Sequence, residues 1–302
     1  MSERPTSAPP AVAERAAADL VRLLARDLGP GLHVVATPIG NLGDITLRAL
    51  ATLAAADIVY CEDTRHSRTL VAHFAITTKL RPYHEFNAEA ERPRILARLA
   101  AGDRIALISD AGTPLISDPG YKLVRDVIDA GHPVFTLPGP CAAIAALSIA
   151  GLPTDCFCFV GFLPTRSGQR QTRLRQLASI PATLVVYEAP IRVAASLADM
   201  ALTLGDRPAV IAREITKLHE ELIRGTLAEL AHRFAGSELR GELAILVGPP
   251  VAAEVSDADI ERALAVALQT GSRRDAILSV THQLAVPRAR VYNLATLVEQ
   301  GE

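Results

Sequence analysis

Ser109-Asp110-Ala111-Gly112-Thr113-Pro114-Leu115-Ile116-Ser117-Asp118-Pro119-Gly120 grows out of the short apolar run 104–109 and leads into a helical stretch from Gly120 to Ala130. Two prolines and two glycines within these twelve residues fix an irregular backbone that a plain connection rarely needs. Strand, rigid loop and helix in that order make a βα unit. Loops at the carboxyl ends of parallel strands are where such sheets place their ligands. Asp110 and Asp118 can accept hydrogen bonds from a ribose or an ammonium group. The small residues between them leave room for a flat ring against the main chain.

The same rhythm extends in both directions. Strands are predicted at 32–36, 58–61 and 133–137, with helices at 46–56 and 91–100 and one containing 69–73. This alternation predicts a largely parallel sheet. Beyond Gly151-Leu152-Pro153, strands at 156–160, 183–187, 209–212 and 243–247 alternate with helices at 172–178, 193–203 and 226–232, a mixed α/β unit. Residues 1–10 are polar and contain proline, and 11–27 predict an accessory helix. After Pro249-Pro250 comes a helical appendage, with helices at 272–283 and 288–298 around a Val286-Pro287 turn. That outline fits a helix–turn–helix or a simple hairpin equally well. The predicted organisation is an N-terminal extension (1–30), an α/β domain carrying the constrained loops (31–150), a second α/β domain (151–250) and a C-terminal helical appendage (251–302).

Composition narrows the class. With 49% hydrophobic and 21% charged residues in 302, the chain is well cored. Aromatics make up 4% and Trp is absent, so Ala, Leu, Val and Ile must fill the core. A formal charge of -2 and a pI near 6.5 argue against a broad electrostatic footprint for naked nucleic acid, and favour a structured target. Local basic surfaces are still available. Arg166, Arg170, Arg173 and Arg175 have no acidic residue among them, and Arg273, Arg274, Arg288 and Arg290 form a second group. Each group is either a solvated helix face or a set of phosphate contacts. The cysteines at 61, 141, 156 and 158 lack zinc-like spacing, which suits reduced thiols in the cytoplasm. No run approaches the ~20 apolar residues needed to cross a bilayer.

Other loops share the character of the first. Thr37-Pro-Ile-Gly-Asn-Leu-Gly-Asp44 follows the first strand; it is not the dinucleotide fingerprint, because a proline follows the strand directly. Glu62-Asp63-Thr64-Arg65-His66-Ser67 sets charged groups at a strand end, as either an internal ion-pair network or a substrate-facing loop. His84-Glu85-Phe86-Asn87 is a further polar cluster. In Leu137-Pro-Gly-Pro-Cys141-Ala142 the thiol has no identifiable base, so packing is the expected role of Cys141. Neither a Walker loop nor a hydrolytic triad is present.

Together these strings resemble the tetrapyrrole methylase superfamily, and more narrowly the family of ribosomal RNA small subunit methyltransferase I. The resemblance rests on Thr37–Asp44, Glu62–Arg65, Ser109–Gly120 and Leu137–Pro140. It continues through Gly151-Leu-Pro-Thr-Asp155, Gly161-Phe-Leu-Pro164, Tyr187-Glu188, Ala212-Arg-Glu-Ile-Thr-Lys217 and Arg224-Gly-Thr226, and so spans roughly residues 32–248.

The resemblance implies an α/β, two-domain tetrapyrrole methylase-like fold with a small C-terminal helical appendage, usually as a homodimer. S-adenosylmethionine would lie in the interdomain cleft. Ala111, Gly112, Thr113 and Ile116, then Cys141 and Ala142, match its contacts, with Pro38 at the cleft floor. Tyr187, Glu188 and Ile215 would close the pocket. The implied substrate is the ribose 2′-hydroxyl of a cytidine in the decoding region of 16S ribosomal RNA, within the 30S subunit. The alternative is a tetrapyrrole or corrinoid small molecule. Methyl transfer from a sulfonium requires no metal. Asp110, Glu62, Asp63 and Arg65 are the candidates for handling the hydroxyl proton, with Asn41 positioning the substrate. Arg166, Arg170, Arg173, Arg175, Arg273 and Arg274 are the candidate RNA contacts. One departure is visible: relatives carry Ser where this chain has Cys141, which alters one hydrogen bond.

Overall fold

The computed structural model describes residues 10–118, 120–236, 239–250, 256–269, 271–284 and 286–300. The polar start expected at 1–10 lies, apart from Pro10, outside them, as does Pro119 of the Ser109–Gly120 loop. In the first half, β1 (Gly31–Val35), β2 (Ile58–Cys61), β3 (Leu80–Pro82), β4 (Arg104–Leu107) and β5 (Val134–Leu137) form one sheet in the order β3-β2-β4-β1-β5. All neighbours are parallel. β2 is buried along its whole length, as a strand covered on both faces must be. The helices of this half are α1 (Pro10–Leu24), α2 (Leu47–Ala55), α3 (Thr64–His73), α4 (Ala88–Ala100), α5 (Tyr121–Asp129) and α6 (Ala142–Ala150).

Side-chain caps fix two helix starts near the site. The Ala49 N–H donates to Thr46 Oγ1 at 3.1 Å and opens α2. The Arg65 N–H donates to Asp63 Oδ1 at 2.8 Å and opens α3. The segment read as a polar loop at 62–67 is therefore mostly helix: the charge pattern hid a capped first turn.

The second half contains β6 (Phe157–Phe162), β7 (Thr183–Glu188), β8 (Pro208–Arg213), β9 (Glu221–Thr226) and β10 (Leu243–Val247), in the order β6-β7-β10-β8-β9. β6 and β7 are parallel and the other neighbours antiparallel, so the sheet is mixed. Its helices are α7 (Ser167–Leu177), α8 (Val193–Leu204) and α9 (Leu227–Arg233). α7 begins five residues before the predicted start at 172. Ser-Gly-Gln-Arg-Gln has no apolar period, yet Arg170 and Leu174 are both buried on the helix's inner face.

α6 connects the halves. Ala143, Ala146, Leu147 and Ala150 pack in one cluster with Val185, Val210, Ala212, Ala244 and Leu246 of the second sheet. Alanines on this face let the helix approach the strands closely. Ile39, from the loop after β1, and Ile215, from the loop after β8, join the same cluster. Two loops distant in sequence are thereby set face to face.

Residues from Pro250 onward form a separate compact unit. Here α10 (Asp257–Leu268), α11 (Arg273–Leu284) and α12 (Arg288–Gln300) enclose their own core around Leu264, Val280 and Val291. A reciprocal Ser256–Asp259 capping box starts α10, which precedes the two helices read from the sequence. No described helix is long and apolar enough to cross a membrane.

Candidate active site

Loops leaving the carboxyl ends of β4, β1 and β5, which are adjacent strands, are joined into one platform. The Thr37 N–H donates to Gly112 O at 2.9 Å, and the Gly112 N–H returns to Thr37 O at 3.1 Å. Thr113 Oγ1 donates to Pro140 O at 3.0 Å. Gly112 has φ 78°, and a Cβ there would lie 3.2 Å from Ile39 Cγ2, so both conformation and space favour glycine.

This platform forms one wall of a cavity of about 410 Å³, within the ~300–1,000 Å³ usual for small-molecule sites. Asp110, Ala111, Gly112, Thr113, Ile116 and Asp118 line it, together with Cys141 and Ala142 at the start of α6. Tyr187, Glu188, Ala212, Ile215, Leu243 and Phe162 line it from the second half. Both walls carry backbone strain. Leu115 and Ser117 (φ 73° and 68°) flank Ile116, and Glu214 and Thr216 (φ 49° and 66°) flank Ile215. Non-glycine residues in this region cost about 1–3 kcal/mol each and concentrate where a site must be held rigid.

Tyr187 holds the walls together. The Ala143 N–H, in the first turn of α6, donates to Tyr187 Oη at 2.9 Å. The N-cap residue Cys141 makes no side-chain cap bond, so the tyrosine supplies the acceptor that the helix start lacks. Burial pushes the phenol's pKa up, with the Cys141 thiol adding to the effect, so Tyr187 is neutral throughout the working range. Glu188 is more closely bound to its own wall. Its side chain is 0% exposed, accepting from Ser196 Oγ, from the Ala189 N–H at 2.9 Å and from Arg192 at 2.8 Å. Pro38 is buried, and its neighbour Ile39 lines the cavity in its place.

Acidic groups gather on one side. The Asp63 N–H donates to Asp110 Oδ1 at 3.0 Å, joining the loops after β2 and β4. Burial pushes the Asp118 carboxyl above its usual range; the Ser109 hydroxyl opposes this and the Asp110 charge adds to it. Glu62 is raised by burial first and then by Asp110 and Asp118. Three carboxyls on neighbouring strands thus feel one another, and two of them hold a proton more tightly than a free carboxylate. Asp118 lines the cavity and can accept a proton there, whereas Glu62 lies outside the lining.

The remaining candidates lie outside the cavity lining. Asp63 Oδ2 accepts from Arg65 Nη2 at 2.7 Å, and this pairing holds the Asp63 pKa at about 2. Asn41 Oδ1 accepts the Gly43 N–H at 3.0 Å, shaping the short turn Leu42–Asp44. Arg170 corrects the expectation of a solvent-facing basic segment. It is 3% exposed, and its Nε donates to Asp199 Oδ2 at 2.7 Å while other donors reach the Thr165 and Ala195 carbonyls. An arginine enclosed in this way presents no charge to a phosphate. Arg166, Arg173 and Arg175 are exposed. In the C-terminal unit Arg274 is exposed, whereas Arg273 donates to Thr296 Oγ1 and lies 5.5 Å over the Tyr292 ring.

Phe162, Leu243 and Ile39 were not anticipated as lining residues. Phe162 reaches the cavity after a register shift in β6 between Phe159 and Gly161, which nothing in the local pattern announces. Ile39 had a detectable signal, because it sits inside a loop already recognised as constrained.

The profile of the family described as Tetrapyrrole (Corrin/Porphyrin) Methylases matches residues 31–231. A protein of Mesorhizobium japonicum named ribosomal RNA small subunit methyltransferase I is 54% identical over 242 residues, covering 80% of this chain and 82% of that protein. A protein of the same name from Halalkalibacterium halodurans is 43% identical over 279 residues, covering 89% and 96%. Among solved structures, uroporphyrin-III C-methyl transferase from Thermus thermophilus, complexed with S-adenyl homocysteine, superposes with a TM-score of 0.51. It has 23% identity and covers 72% of this chain and 96% of that one, a likeness of fold.

Proposed function

This chain belongs to the Tetrapyrrole (Corrin/Porphyrin) Methylases, and we propose that it transfers a methyl group from S-adenosylmethionine to small-subunit ribosomal RNA. The observation that carries this reading is the cavity itself. It is a small-ligand-sized space between two strained walls, in a chain whose relatives at 43–54% identity bear the name of a ribosomal RNA methyltransferase. The cavity suits the cofactor. Ala111, Gly112, Thr113 and Ala142 leave the main chain accessible to a flat ring, and Asp110 and Asp118 supply acceptors for hydroxyl or ammonium groups. Ile116, Cys141, Tyr187, Glu188 and Ile215 complete the enclosure, with Pro38 behind Ile39. When bound, the cofactor supplies an electrophilic methyl carbon and its own leaving group. The protein's part is to align the attacking oxygen, exclude water and remove a proton.

The acceptor we propose is the ribose 2′-hydroxyl of a cytidine in the decoding region of 16S ribosomal RNA, presented within the 30S subunit. Its proton passes to the carboxyl group of Asp110, with Asp118 and Glu62 beside it. Asp63 holds Asp110 through its N–H, Arg65 fixes Asp63, and Asn41 shapes the loop that presents Ile39. Exposed Arg166, Arg173 and Arg175, and Arg274 with Arg273 in the C-terminal unit, are the proposed phosphate contacts. We further propose a homodimer acting in the cytoplasm, with functional division near residues 30, 150 and 250.

Purified 30S subunits lacking their modifications, incubated with the protein and labelled S-adenosylmethionine, test the reading. The expected result is label on the 2′-oxygen of a single cytidine. Label on a base, or transfer only to a porphyrin or corrin, overturns it.

A further inference from the structure

A second concave feature lies outside the cavity. Asp19, Arg22, Leu23 and Arg26 of the α1 segment face Thr46, Leu47 and Arg48 at the start of α2, with Pro138 closing a groove of about 570 Å³. Residues 19, 22 and 23 share one face of α1, and Arg26 lies two residues beyond the helix end on the same groove. Arg22, Arg26 and Arg48 are all exposed. Arg22 is paired with Asp19, but the side chains of Arg26 and Arg48 have no hydrogen-bond or ion-pair partner among the described residues. The first turn of α2 adds the positive end of its peptide dipoles to the same wall.

Core formation does not explain α1. From residue 11 through 27 only Leu20 and Leu23 are even half-buried, and the family profile begins beyond this helix, at residue 31. The groove's position is more informative. Thr46 follows the loop that presents Ile39 to the cavity, and Pro138 precedes Cys141, which also lines it. Both walls therefore follow the carboxyl ends of the adjacent strands β1 and β5, the sheet end from which the cavity loops also leave.

We infer that the groove between α1 and α2 is a contact surface for the phosphate backbone of the RNA substrate. Three guanidiniums around one groove, at the sheet end from which the cavity loops leave, fit a polyanion, and arginine's fork matches phosphate oxygens. This inference rests on the proposed RNA-methylating function.

The test uses the full chain and deproteinised 16S ribosomal RNA, titrated at several salt concentrations, with 30S subunits in parallel. The charge reversal Arg26→Glu/Arg48→Glu is expected to weaken RNA binding roughly tenfold. It should also flatten the slope of log affinity against log salt by about 1–2, since each lost phosphate contact removes ~0.7–0.9. Affinity for S-adenosylmethionine should stay unchanged, and Arg26→Lys/Arg48→Lys should keep the original slope. Unchanged affinity and slope in the charge-reversal variant overturn the inference. A defect confined to 30S subunits with an unchanged salt slope also overturns it, because no phosphate contact would then have been lost. If the unaltered protein shows no salt-dependent binding to either probe, the RNA reading itself fails and takes this surface with it.

Discussion

Lys217 lies across Gly40: a Cβ built on that glycine would sit 2.5 Å from both Cγ and Cε of the lysine. The two residues come from opposite halves of the α/β unit. Lys217 Nζ is held by Glu214 Oε1 at 2.9 Å and Glu242 Oε2 at 3.1 Å, so its stem has little freedom to withdraw. Gly40 also has φ 140°, which other residues resist. The contact straps the loop after β1 to the loop after β8, directly beside Ile39 and Ile215.

Gly40→Ala is therefore expected to destabilise the protein by about 1–3 kcal/mol, read from the urea midpoint. In a Lys217→Ala background the same change should cost less by at least ~0.5 kcal/mol, because the steric part of the penalty is gone. Equal costs in both backgrounds would show that the strap does not exist.

Tyr187→Phe removes the acceptor of the Ala143 N–H while keeping the ring. The expected cost is about 1 kcal/mol in thermal unfolding, the usual loss for a helix cap. Cys141→Ser restores a side-chain oxygen at the N-cap, so Tyr187→Phe should cost less when combined with it. A cost independent of residue 141 means that Tyr187 contributes only packing.

Asp118→Asn should stabilise the fold at neutral pH. In the unfolded chain this carboxyl ionises near its ordinary value of 3.8, whereas burial in the folded state holds the proton to higher pH. As pH rises through that window, the native state is progressively penalised for carrying the charge. The substitution removes the penalty, so the gain should be present at pH 7 and vanish below about pH 4. Methyl transfer should slow at the same time, consistent with strain retained for function. A stability gain as large at pH 3 as at pH 7 would contradict the assigned cause.

Arg170 and Arg173 should behave oppositely, although they lie within one turn of α7. Arg170→Ala strands the largely buried Asp199 carboxylate and is expected to cost about 3–5 kcal/mol, with no effect on the salt dependence of RNA binding. Arg173→Ala should change stability by less than about 0.5 kcal/mol while making RNA affinity less salt-dependent. Chemical denaturation and a salt titration of RNA binding separate the two.

Much of this arrangement is legible without coordinates. Short apolar runs rich in β-branched and aromatic residues, such as Ile58–Cys61, read as strands covered on both faces, and Ser109–Gly120 declares itself through prolines and glycines. The failures have local causes. β3 is three residues long and ends in Pro82, so it carries no period. The first turn of α7 is polar because it buries an ion pair, which looks identical to a solvated loop in one dimension. Glu62–Ser67 combines a strand end, a cap and a helix start in six residues, and charge alone does not distinguish them.

The sequence by itself determined the α/β class, three of the loops that line the cavity and the family to which the chain belongs. These depend on periodicity and on residue chemistry within short windows, where backbone preference acts. Only the tertiary structure decided that α6 covers the second sheet, that Tyr187 caps it, that Arg170 faces inward and that Gly40 lies beneath Lys217. Each of those is a contact between segments tens to nearly two hundred residues apart, or a choice of which helix face meets the core. Packing at close density makes such choices collectively, so no local window contains them.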